Sequence, residues 1–76
     1  MKIQILGSGC KKCKALYQNA ELAIKKLGVD CHLEKVEDIN QIIEFGVMIT
    51  PALVVDNEVK TVGKVLSPEK ISKLIT

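Results

Sequence analysis

The opening of the chain narrows the fold most. An apolar, β-branched run from Lys2 to Leu6 stops at Gly7-Ser8-Gly9, and the sequence turns through Cys10-Lys11-Lys12-Cys13 into a helical repeat. From Cys13 the apolar positions Leu16, Ala20, Ala23, Ile24 and Leu27 recur at intervals of three and four, with Lys and Glu between them, until Gly28. That spacing predicts an amphipathic helix with a glycine stop. Asp30 to Val36 then reads as a second strand, with Cys31 and Leu33 on one face and His32 and Glu34 on the other. A strand, a helix and a strand in this order predict a parallel pair joined by a right-handed crossover.

The rest of the chain continues the alternation. Asp38-x-x-Gln41 has the form of a capping box, and Ile39, Ile42 and Ile43 follow at helical spacing before Gly46, so a short second helix is predicted. Ala52–Val55 and Glu58–Val62 flank Asp56-Asn57, two residues that tolerate the positive φ of a two-residue hairpin turn. Ser67-Pro68-Glu69 supplies an N-cap, a first-turn proline and an acidic second position, and Ile71, Leu74 and Ile75 form the expected buried stripe of a last helix. The order is βαβαββα, without repeat or linker. With 76 residues, 47% of them hydrophobic, a single domain over 1–76 with one modest core is expected.

Composition excludes several partners. Eleven basic residues face nine acidic ones for a net charge of +2, with no basic stripe, and one Phe, one Tyr and no Trp leave no platform for stacked bases. Nucleic acid is therefore not an expected partner. Apolar runs such as Val47-Met48-Ile49 fall far short of the about 20 residues that span a bilayer. The N-terminal run is also too short for the core of a signal peptide, so the expected setting is a reducing cytoplasm and the expected state a monomer.

Chemistry is expected at Cys10 and Cys13. Thiols three positions apart at a helix start share one face of the first turn, close enough to form a disulfide. Cys10, at the boundary of loop and helix, meets unpaired backbone N–H groups and the positive end of the helix dipole, which favour the thiolate and mark it as the nucleophile. Cys13, one turn further in, is the expected resolving thiol. Lys11, Lys12 and Lys14 place cations where the dipole disfavours them. Either they lower the Cys10 pKa and attract an anionic partner, or they are solvated side chains on an exposed turn.

Thr50-Pro51 is either an ordinary trans proline at a strand start or a special peptide bond. Cys31 reads as a small buried hydrophobe and His32 as a surface residue. Because strand neighbours point to opposite faces, the two cannot both join Cys10 and Cys13 around one zinc, and no closed metal site is expected. A CxxC in a loop also suits a soft-metal carrier for copper, mercury or zinc, but such domains follow βαββαβ and end in a strand. A docking domain that keeps the fold without catalysis is a third reading.

The CxxC after the first strand, Thr50-Pro51 ahead of a hairpin, and Gly63 past its second arm resemble the thioredoxin and glutaredoxin superfamily, with the small redox-active disulfide proteins of prokaryotes nearest in layout. The likeness covers the whole chain. It implies an α/β thioredoxin-like fold, a four-stranded mixed sheet with helices on both faces. It also implies a reversible Cys10–Cys13 dithiol and disulfide with no other cofactor, and a cis peptide before Pro51 facing the Cys pair. Thr50, Pro51 and Gly63 are the implied substrate-binding residues, with the Thr50 backbone pairing with a bound strand. Protein disulfides are the implied substrates, recharged by a thioredoxin-reductase-like or glutathione reductant. Lys11-Lys12 stands where better-known members carry Gly-Pro or Pro-Tyr, and the first strand holds no carboxylate.

Overall fold

The computed structural model describes residues 1–7, 11–28 and 30–75. Among them the elements run β1 (Lys2–Leu6), α1 (Lys11–Leu27), β2 (His32–Val36), α2 (Ile39–Glu44), β3 (Ala52–Val55), β4 (Glu58–Val62) and α3 (Pro68–Ile75), which is the predicted order. β2 begins at His32 rather than Asp30, so Cys31 lies just before the strand.

The strands form one mixed sheet in the order β2-β1-β3-β4. β1 runs parallel to β2, with Lys2 opposite His32 and Leu6 opposite Val36, and antiparallel to β3, with Ile3 opposite Val55 and Leu6 opposite Ala52. β3 and β4 pair antiparallel through the turn at Asp56 (φ 49°) and Asn57 (φ 66°), the left-handed pair that a tight hairpin requires. Asp56 also ties the turn to the first strand: its carboxylate accepts from the Lys2 N–H, and its own N–H donates to the Lys2 carbonyl, both at 2.8 Å.

The two central strands are apolar on both faces, and each face is covered by helix. On one side Ile3, Ile5, Leu53 and Val55 pack with Leu16, Ala20 and Ala23 of α1 and with Ile71 and Ile75 of α3. On the other, Leu6, Val36, Ala52 and Val54 pack with Ile42 of α2 and with Val47. α1 ends at Gly28, whose φ of 65° and N–H bond to Ile24 form the expected stop. Asn19 of α1 donates to the Leu66 carbonyl at 2.8 Å and fastens the segment that leads into α3.

Three local expectations differ. Asp38 caps α2 by accepting from the Asn40 N–H at 2.9 Å, one position short of the partner that a capping box uses. In α2 only Ile42 is buried, while Ile39 and Ile43 stand in solvent, because a six-residue helix lying on the sheet has room for one inward position. Leu74 is exposed as well, since Ile71 and Ile75, four apart, already fill the contact of α3 with α1.

β1 carries one buried polar side chain. The Gln4 amide donates to Glu34 across the β1–β2 register at 3.2 Å, and Glu34 also lies 3.3 Å from His32 and 3.9 Å from the Lys2 ammonium. The Gln4 bond, opposed by partial desolvation and helped by His32 and Lys2, holds the Glu34 carboxyl below its ordinary pKa. A carboxyl that binds protons less readily when folded adds stability above its unfolded pKa, and that contribution disappears as pH falls through the folded value. In urea denaturation, wild type is therefore expected to exceed Glu34→Gln at neutral pH, with the two midpoints converging below pH ~4. Leu53→Ala, in the core between sheet and α1, should cost about 2–5 kcal/mol, and Leu22→Ala on the exposed side of α1 less than about 0.5 kcal/mol.

Candidate redox site

Three segments meet at the end of the sheet where β1 and β2 finish and β3 begins. Gly7 leaves β1 and donates its N–H to the Val36 carbonyl at 2.9 Å, which holds the start of the loop against the end of β2. Cys13 sits in the first turn of α1, buried, with its thiol directly against Gly7. A β-carbon at Gly7 would collide with Cys13 Sγ, and it would lie 3.1 Å from Cys13 Cβ and 3.7 Å from Thr50 Cβ. Glycine is required at this position by close approach, and Cys13 and Thr50 both border it.

The third segment is held by Pro51. The Thr50–Pro51 peptide is cis, as the resemblance implies, and Pro51 is buried at the entrance to β3. β3 is a central strand, so of the two readings of Thr50-Pro51 the special peptide bond applies. Gly63, at the end of β4, donates its N–H to the Pro51 carbonyl at 2.7 Å. With φ at 71° and its open side 3.0 Å from Ile49 Cγ2, Gly63 would be strained by any side chain. Cys13, Thr50-Pro51 and Gly63 are thus brought to one end of the sheet from three places in the sequence.

Cys10, the expected nucleophile, lies outside the described residues together with Ser8 and Gly9. Lys11 and Lys12 are exposed at the start of α1, whose first turn contains no acidic residue. Cys31 and His32 are elsewhere. His32 pairs with Lys2 and donates its N–H to the Met1 carbonyl, so Cys31 lies at the opposite end of β1 from Gly7, about 20 Å away at the rise of a strand. Cys31 is half-buried against the core, and desolvation raises its thiol pKa, with Asp56 and Asp30 adding to the rise and the chain's N-terminal ammonium opposing it. A thiol in that state is a poor nucleophile. Among the described residues, no three metal-ligating side chains lie together.

Sequence reasoning did not single out Gly7 as the seat of the Cys13 thiol, although a glycine between a strand and a CxxC was the available signal. It placed Ile39 and Ile43 on the helical repeat of α2 without assigning them a side. With Val47, Met48 and Thr50 they line a surface groove of about 460 Å³ beside the site.

The chain matches the family model described as a thioredoxin domain over residues 1–76. It is 46% identical over 76 residues to a protein named thioredoxin from Methanothermobacter thermautotrophicus, covering 100% of this chain and 99% of that one. It is 39% identical over 71 residues to a protein of the same name from Methanocaldococcus jannaschii, covering 93% of this chain and 81% of that one. Gly7→Ala tests the contact that seats the thiol. Overpacking against Cys13 is expected to lower stability by about 1–3 kcal/mol in chemical denaturation, and an unchanged midpoint would contradict the contact.

Proposed function

The chain belongs to the thioredoxin family and is a thiol:disulfide oxidoreductase, and on that premise we propose that Cys10 is its attacking thiol and Cys13 its resolving thiol. The observation that carries the assignment is the seat of Cys13. It is buried against Gly7, whose other neighbour is Thr50, which suits a thiol that acts second, after its partner cysteine has met the substrate.

The reaction follows from two attacks. The Cys10 thiolate attacks one sulfur of a substrate disulfide, forming a mixed disulfide and releasing the other sulfur as a thiolate that takes a proton from solvent. Cys13, as thiolate, then attacks the Cys10 sulfur, freeing the second substrate thiol and leaving the Cys10–Cys13 disulfide. Two electrons pass to the substrate, and a dithiol reductant returns the pair to its reduced state. Unpaired N–H groups and the dipole of a 17-residue helix favour the Cys10 thiolate, and Lys11 and Lys12 add positive potential. The Thr50 backbone offers edge hydrogen bonds to an extended substrate strand, and Gly63 leaves that approach open.

Disulfide-bearing substrates and a reductant follow from the family in general. In the finer reading, the substrates are protein disulfides, the reductant is a thioredoxin-reductase-like enzyme or glutathione, and the chain works as a single domain, monomeric and cytoplasmic, without a further cofactor. Among the described residues no helix is long and apolar enough to cross a membrane. The test is dithiothreitol-driven reduction of insulin disulfides. Cys10→Ser and Cys13→Ser should both fall to the buffer rate, with Cys13→Ser accumulating a mixed disulfide through Cys10, and Cys31→Ser should keep wild-type turnover. Turnover by Cys10→Ser would overturn the assignment.

A further inference from the structure

His32 and Glu34 are two apart on β2 and so project from one face of the sheet, beside Lys2 and Gln4, their partners in register on β1. His32 Nε2 and Glu34 Oε2 lie 3.3 Å apart. That is long for a charge-assisted hydrogen bond, which settles at about 2.7–2.9 Å. It matches the ligand-to-ligand edge of a tetrahedral zinc ion, about 3.3–3.4 Å for bonds of about 2.0–2.1 Å. We propose that His32 and Glu34 form a site for a zinc-class divalent cation at the β2 edge of the sheet, with Gln4 as the residue that positions the Glu34 carboxylate.

Gln4 gives the pair its direction. It is 6% exposed, its carbonyl oxygen is buried with no hydrogen-bond partner among the described residues, and its amide nitrogen donates to Glu34 Oε1 at 3.2 Å. A buried unpaired acceptor is unfavourable, and an apolar residue would fill the position without that penalty. What the amide supplies is orientation: with Oε1 held by β1, Oε2 is the oxygen beside His32. Among the described residues no third His, Cys, Asp or Glu joins the pair, so water would complete the coordination, and the 68% exposure of the His32 side chain leaves room for it. One imidazole and one carboxylate suit zinc, nickel or copper, whereas magnesium and calcium take oxygen ligands alone. Lys2 is the competitor, since its ammonium lies 3.9 Å from Glu34 Oε2, and its half-exposed chain is free to swing into solvent when a cation arrives. Gln4 and Gly7 are three residues apart along β1, roughly 10 Å at the rise of a strand, so the site is separate from the seat of the Cys13 thiol.

The test is a zinc titration of the oxidised full chain carrying Cys31→Ser, which leaves no free thiol to compete for the ion. His32 is the single histidine of the chain, so its ring nitrogen signals in NMR report this site alone. Zinc should bind as a single equivalent, shift those signals and raise the thermal midpoint, with EDTA reversing all three effects and magnesium producing none of them. His32→Ala and Glu34→Gln should each remove saturable binding, and because His32 is exposed, its loss there is not a loss of fold. Gln4→Leu should weaken the affinity about tenfold. Lys2→Gln should tighten it severalfold by removing the competing ammonium. Zinc that binds with the His32 signals unmoved, equal affinity in the His32→Ala chain, or no binding at all would overturn the site. Unchanged affinity in the Gln4→Leu chain would overturn the positioning role of Gln4.

Discussion

The structure depends on the burial of β1 and β3 on both faces. Ile3, Ile5, Leu53 and Val55 point one way and Leu6, Ala52 and Val54 the other, so neither face can be left to water. At about 25 cal/mol for each Å² of apolar surface covered, two helical layers are the economical arrangement for so short a chain. α1 and α3 share one face and α2 takes the other. The Cys13 thiol and the Thr50–Pro51 segment then lie at the end where β1 finishes and β3 begins.

That end is organised by close backbone approach rather than by charge. Gly7 has no β-carbon because the Cys13 thiol occupies its place, and Gly63 has none because Ile49 stands 3.0 Å away and its φ is positive. The two glycines bring β1 and β4 onto opposite flanks of the Thr50–Pro51 segment. A thiol in such a narrow seat is protected from bulk solvent. The arrangement suits a resolving cysteine, which must act on a partner held by its neighbour. Cys31, about 20 Å away along β1 and held protonated by desolvation, stays out of that exchange.

The buried polar side chain of the central strands follows a separate logic. Gln4 replaces an apolar residue in a central strand, and its amide is answered by Glu34 on the neighbouring edge strand, itself steadied by His32 and Lys2. This small network helps fix the β1–β2 register at the edge of the hydrophobic core. α2 contributes in the opposite sense: it gives up one buried isoleucine to the core and leaves two outside, where they adjoin the redox end of the molecule.

The sequence by itself determined the element order, the glycine stop of α1, the Asp56-Asn57 turn and the CxxC at a helix start, because each rests on local backbone preference or on a period of two or of three to four residues. It also carried the resemblance through Cys10, Cys13, Thr50, Pro51 and Gly63. Only the tertiary structure decided that β1 lies between β2 and β3, that Gly7 seats the Cys13 thiol, and that Gly63 bonds to Pro51, since these are contacts between residues 6 to 52 positions apart that no local pattern encodes. The outward turn of Ile39, Ile43 and Leu74 belongs with them. Helical spacing puts Ile39 and Ile43 beside Ile42, and Leu74 beside Ile71, but which of them is covered depends on how much sheet or neighbouring helix lies beneath, and that is fixed only when the layers pack.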